Sequence, residues 1–207
     1  MKKLIYLLFI FTLVSCGKSV EKYAAIPQGS TVLILGDSLS YGTGANAGED
    51  YPSLLAKTTA WKIINEGVPG DTTAGGLERL PALIQQHQPK LLIVELGGND
   101  FLHKVPQTKI IANLKAILAN AKAAGVPTAL VAIPEVSALR AAIGNLQDHP
   151  LYEKLAQETA TPLITEVFSA VLSDNVLKAD QIHPNAKGYV EVGKIMDEKL
   201  KELGFLN

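Results

Sequence analysis

Leu91-Leu92-Ile93-Val94-Glu95-Leu96-Gly97-Gly98-Asn99-Asp100 sets an almost unbroken apolar run against a glycine-rich polar turn. A strand with one wet face alternates apolar and polar residues, whereas a run without alternation belongs to a strand buried on both faces, as in parallel sheets covered by helices. Upstream, Thr31 to Leu35 has the same character and runs into Gly36-Asp37-Ser38. Downstream, Val126 to Ile133 makes a third such run, stopped by Pro134, and the shorter Lys62 to Asn65 and Pro162 to Ile164 add two more. Between them lie segments with helical spacing: Tyr51 to Thr59, Thr73 to His87, Thr108 to Ala124 closed by Gly125, Pro150 to Thr159, Thr165 to Leu172 and Asn185 to Leu203. In the last of these, Tyr189, Val192, Ile195, Met196 and Leu200 share one face. Pro81 falls inside the second, where it removes a backbone hydrogen bond, so that helix is expected to bend or restart. Strands alternating with helices predict an α/β domain, a five-stranded parallel sheet covered on both sides. Ligands of such sheets sit at the carboxyl ends of the strands.

Residues 1–16 read as an export signal. Lys2 and Lys3 precede an apolar run from Leu4 to Val14, eleven residues long. A spanning helix needs about 20, so the run fits a signal-peptide core. Leu13-Val14-Ser15-Cys16 resembles a bacterial lipobox, in which the cysteine is lipidated and becomes the new N-terminus. Cys16 is the one cysteine in the chain, so the domain has no disulfide and rests on its core alone. Residues 17–29 are then a spacer and 30–207 the domain. The expected location is the bacterial cell envelope, with a membrane as partner through the lipid on Cys16. Gly17, where aspartate would retain a lipoprotein, points to the outer membrane of a Gram-negative host. The chain is 47% hydrophobic with net charge −1 and pI about 6.4, which excludes the basic footprint of a nucleic-acid binder. Oligomeric state is not marked in the sequence.

Four polar segments fall at the ends of the predicted elements. They are Gly36-Asp37-Ser38-Leu39-Ser40, Asn65-Glu66-Gly67-Val68-Pro69-Gly70-Asp71, Gly97-Gly98-Asn99-Asp100 and Asp180-Gln181-Ile182-His183-Pro184. Acyl transfer needs such a set. A serine hydroxyl is a weak nucleophile and requires a base, usually a histidine oriented by a carboxylate. Donors must also face the developing oxyanion. Ser38 sits on a turn leaving a buried strand. Pro69-Gly70 suits the centre of a type II turn, which would expose the Gly70 amide. Asn99 brings an NH2 donor, and Asp180 lies three residues from His183, close enough for one turn to bring carboxylate and imidazole together.

These residues resemble the SGNH (GDSL) hydrolase family, whose four named positions map onto Ser38, Gly70, Asn99 and His183. The likeness runs from about Thr31 to the last helix and is greatest to the bacterial branch of lysophospholipase L1/thioesterase I and the arylesterases. It implies a flavodoxin-like three-layer α/β/α sandwich and an esterase needing no metal or organic cofactor. In that family's chemistry Ser38 attacks the ester carbonyl, His183 takes and returns the proton, and Asp180 orients His183. The amides of Ser38 and Gly70 and the side chain of Asn99 hold the oxyanion. Aryl, short-chain acyl and lysophospholipid esters are the expected substrates.

Other readings compete. A Gly-Asp-Ser turn could merely end a strand. The Gly-x-Ser-x-Gly elbow of the α/β-hydrolases fails, because Ser40 stands at its fifth position and acid and histidine share one segment. His149, preceded by Asp148, rivals His183 as the base, but adjacent side chains point apart. Within the same family, polysaccharide O-acetyl esters are the alternative substrate; outside it, the alternative is a lipoprotein that only binds a ligand. Phe101 and Leu102 after Asn99, with Leu139 and Ile143 after the fourth strand, are expected to wall an acyl or aryl groove. Glu95, inside an apolar strand, requires a buried partner.

Overall fold

The structure is a computed structural model that describes residues 23–135 and 137–207. The expected export signal, Cys16 and the first residues of the expected spacer lie outside the described residues. Five strands, β1 (Thr31–Gly36), β2 (Lys62–Gly67), β3 (Leu91–Glu95), β4 (Thr128–Val131) and β5 (Leu163–Ile164), form one sheet in the order β2-β1-β3-β4-β5. Every neighbouring pair is parallel. That is the flavodoxin-like order, whose strand sequence reverses between β1 and β3 and opens a crevice there.

Burial follows the pattern of apolar residues. Val32 to Leu35 and Leu91 to Val94 are completely buried, and each such aliphatic side chain contributes roughly 1.5–3 kcal/mol relative to exposure. The edges are less apolar. β2 exposes Lys62 and Asn65, and β5 is two residues long, both of which discourage pairing with another chain.

The helices are α1 (Ser38–Tyr41), α2 (Tyr51–Thr59), α3 (Thr73–His87), α4 (Gly98–Leu102), α5 (Gln107–Ala123), α6 (Ala138–Ala142), α7 (Leu151–Thr159), α8 (Phe168–Ser173) and α9 (Ala186–Glu202), with a 3₁₀ turn at Asn175–Leu177. On one side α3, α5 and α7 pack in a row, and α2, α9 and α8 make another. Asp50, Thr72 and Asn185 cap α2, α3 and α9 by accepting amide hydrogen bonds, contacts typically worth about 1 kcal/mol each. The expected restart at Pro81 does not occur. α3 runs through it as one helix because Pro81 lies on the exposed side, where water can serve the Leu77 carbonyl that loses its partner.

Candidate active site

The carboxyl ends of β1, β2 and β3 bring three of the four polar segments to one edge of the sheet, at the reversal of strand order. Ser38 opens α1. Its turn is held by Asp37, whose Oδ1 accepts from Leu39 N at 2.9 Å and whose carbonyl accepts from Tyr41 N at 3.0 Å. Asp37 N and Ser40 N are taken by the Glu95 carboxyl at 3.3 and 3.0 Å. Among the amides of this turn, Ser38 N is the one these bonds leave free.

The fourth segment arrives from the far end of the chain as a closed loop before α9. Lys178 bridges to Pro184, Ala179 N donates to the His183 carbonyl at 2.9 Å, and Asn185 Nδ2 donates to the carbonyls of Val176 and Lys178. Within it Asp180 Oδ1 accepts the amides of Ile182 and His183 at 2.8 and 2.9 Å, which leaves Oδ2 on His183 Nδ1 at 2.8 Å. His183 Nε2 then stands 3.0 Å from Ser38 Oγ. Burial is the largest single influence on the Asp180 carboxyl and raises it, but hydrogen bonds from the His183 ring and the two amides together outweigh it and hold the acid below its usual range. The imidazole therefore has an ionised acid on one nitrogen and a hydroxyl on the other.

Gly70 lies on an exposed turn with φ 79°, closed by Asp71 N donating to the Val68 carbonyl at 3.0 Å. The turn does not use the Gly70 amide. Arg79 of α3 ties this turn down, with Nε on Asp71 Oδ2 at 2.8 Å and Nη2 on the Gly36 carbonyl at 3.0 Å. Asn99 sits in α4, and Asp100 anchors that helix by accepting Thr73 N and Thr73 Oγ1 at the start of α3. Both Asn99 amide hydrogens already have acceptors, Asp37 Oδ2 at 3.0 Å and Asp71 O at 2.9 Å. Asn99 is thus a donor pre-aligned by two neighbouring turns, not a free one.

A cleft of about 530 Å³ opens over Ser38, Asn99 and His183. Leu102, Ile133, Ala141, Leu146 and Leu172 wall it, and Glu135, Lys178 and Gln181 mark its polar rim. Leu102 is where the sequence puts it. Phe101, Leu139 and Ile143 are not. Phe101 stacks on the His149 ring with centroids 4.5 Å apart and meets Tyr152 edge-on, filling the core side of α4. Leu139 and Ile143 stand one helical turn apart, so they share the outer face of α6, 74% and 65% exposed, while Ala141 faces the cleft.

His149 is no rival to His183. Its Nδ1 accepts from Leu151 N at 3.2 Å, and Asp148 binds Ser169 Oγ and Glu166 N instead of the imidazole. Burial lowers the His149 pKa, partly opposed by Glu135. Among the described residues no three His, Cys, Asp or Glu side chains gather into a metal-binding group. Sequence reasoning missed Arg79 and the partners of Glu95.

Known proteins similar to this chain place it in a family. The model of the GDSL-like Lipase/Acylhydrolase family matches residues 34–190. The thioesterase 1/protease 1/lysophospholipase L1 of Escherichia coli K12 is 37% identical over 179 residues, 84% of either chain. The arylesterase of Vibrio mimicus is 28% identical over 206 residues, 97% of this chain and 98% of its own. Among solved structures, the psychrotrophic esterase EstA of Pseudoalteromonas, in a form inhibited by monoethylphosphonate, superposes with TM-score 0.72 at 29% identity, covering 84% of this chain and 97% of that one. With the flavodoxin-like sheet and a family match spanning most of the domain, the chain belongs to the GDSL-like lipase/acylhydrolase (SGNH) family and is a hydrolase of carboxylic esters.

Proposed function

We propose that the protein is a lipid-anchored serine esterase that works through an acyl-enzyme on Ser38. The observation that carries this reading is the continuous hydrogen-bonded line from Asp180 through His183 to Ser38 Oγ at the floor of the cleft. As Ser38 Oγ bonds to the ester carbonyl carbon, its proton passes to His183 Nε2, and the resulting imidazolium is stabilised by Asp180. The carbonyl oxygen becomes an oxyanion, met by the amides of Ser38 and Gly70 and by Asn99 Nδ2. Asn99 reaches it by sharing a hydrogen now given to Asp71 O. Collapse of the intermediate breaks the bond to the alcohol, which takes the proton from His183, and water repeats the sequence to free the acid.

The apolar walls favour acyl or aryl groups larger than acetyl. A single panel tests this: p-nitrophenyl esters from acetate to palmitate, lysophosphatidylcholine and acetylated glycans. Highest kcat/KM on a butyrate-to-octanoate or aryl ester is expected, with Ser38→Ala inactive on all of them. A preference confined to acetylated glycans would overturn the substrate class. The anchor rests on the lysines, the apolar run and the lipobox-like Leu13-Val14-Ser15-Cys16. Full-length protein should fractionate with membranes and carry lipid mass on Cys16, and Cys16→Ser should not. Soluble wild-type protein without that mass would refute the anchor.

A further inference from the structure

Glu95 ends β3 with its side chain fully buried, and the reaction just described does not use it. Room for its carboxyl comes from Gly36, its register partner on β1, where a Cβ would stand 2.9 Å from Glu95 Oε2. Oε2 accepts three hydrogen bonds, from Ser40 Oγ at 2.6 Å, Ser40 N at 3.0 Å and Asp37 N at 3.3 Å. The two amides flank Ser38, so both ends of the nucleophile turn are fastened to one oxygen. Ser40 Oγ lies 2.8 Å from the buried Tyr51 hydroxyl, and with the Ser40 proton directed to Glu95, the tyrosine is the donor of that pair. On the other side of the turn, the Asp37 carboxyl accepts from Leu39 N and from Asn99 Nδ2. One network therefore runs from Tyr51 and Glu95, under Ser38, to Asn99.

We propose that Glu95 is the positioning residue of this active site, a neutral carboxylic acid that clamps the turn around Ser38 and, through Asp37, fixes Asn99. The proposal rests on the roles of Ser38 and Asn99 given above. Its neutrality follows from its surroundings. Glu95 Oε1 is buried and has no hydrogen-bond partner among the described residues, and an ionised carboxylate is far costlier to leave so than a neutral acid. The charge that acts on it most is another acid. Burial first, then the Asp37 charge, pushes Glu95 well above the usual carboxylate range. Asp37, whose two carboxyl oxygens accept from Leu39 N and Asn99 Nδ2, is the member of the pair equipped to carry the charge. One proton serves two carboxyls, and it belongs to Glu95.

Two substitutions separate a neutral clamp from a charged or merely space-filling group. Glu95→Gln keeps the length and the hydrogen-bonding atoms but cannot ionise. Glu95→Asp keeps the acid and withdraws it by one methylene. On p-nitrophenyl butyrate, Glu95→Gln should keep kcat within about fivefold, while Glu95→Asp should lose about 10²-fold in kcat with KM within about twofold, because the cleft walls are untouched. A residue that served only the fold would lower the melting temperature of both without separating kcat from KM. An inactive or unfolded Glu95→Gln overturns the proposal, and so does Glu95→Asp with near-wild-type kcat. Should Glu95→Asp not fold, Ser40→Ala removes one of the three clamped groups instead. A severalfold loss of kcat at constant KM then supports the clamp, and no loss overturns it. Ser38→Ala in the same assay keeps the claims apart. If it is active, the nucleophile is misassigned; if it is inactive beside a wild-type-like Glu95→Asp, only the clamp fails.

Discussion

Replacing Gly36 with alanine would put a methyl 2.1 Å from Ser40 Oγ, 2.5 Å from Ser40 Cβ and 2.9 Å from Glu95 Oε2. Carbon atoms prefer about 3.5–4.0 Å, so Ser40 must move by more than an ångström. It cannot simply rotate, because Glu95 and Tyr51 hold its hydroxyl at 2.6 and 2.8 Å. Overpacking of this kind costs about 1–3 kcal/mol, and loss of a buried hydrogen bond adds about 1 kcal/mol. The sum is about 2–4 kcal/mol. For a domain of this size each kcal/mol moves the melting temperature by about 2–4 °C, so a fall of about 5–15 °C is expected. Ser38 lies between Gly36 and Ser40 in the chain, and an ångström of misplacement costs about 10²-fold in rate. Thermal melts followed by circular dichroism, with kcat on p-nitrophenyl butyrate, read both effects. A Gly36→Ala protein that melts within about 2 °C of wild type and turns over normally would refute the clamped turn.

His183→Ala should be nearly inactive, whereas His149→Ala should keep most activity and lose stability from the Phe101 stack; steady-state kinetics on both decides which histidine is the base. Ala141→Phe should shift the best substrate toward acetate by filling the cleft wall, and Ile143→Ser should leave the chain-length profile unchanged; the reverse result would mean the outer face of α6 binds the acyl chain. Burial raises the Asp37 carboxyl from 3.8 to about 6, so between those pH values the native state binds the proton more tightly than the unfolded chain. Its share of stability, about 3 kcal/mol, is present on the acid side and is lost as pH rises through about 6. Glu95 acts in the same direction, so melting temperatures should be higher at pH 5 than at pH 7.5, and the opposite trend would contradict the buried acid pair.

What the sequence reveals divides by range. β1 and β3 were legible because continuous apolar runs admit one explanation, and α9 because its five apolar residues fall on one stripe. Asp180 and His183 were legible as a pair because three residues of chain suffice to join them. The short helices α1 and α4 were not, since four or five residues carry no periodicity and exist through caps and distant anchors such as Asp100 on Thr73. The partners of Glu95 lie 55 and 58 positions away, beyond any local pattern. Leu139 and Ile143 misled because hydrophobicity near a cleft does not say which face of a one-turn helix turns inward.

Covalent trapping asks of the protein itself whether Ser38 is the nucleophile. The purified domain would be treated with a fluorophosphonate, with residual esterase activity and intact mass followed in parallel and the adduct mapped by peptide mass spectrometry. One phosphonyl group per chain is expected, bound to Ser38, appearing in step with the loss of activity, absent in Ser38→Ala and slow in His183→Ala. Complete inactivation with Ser38 unmodified, or a label on another residue that tracks the loss, would contradict that role for Ser38.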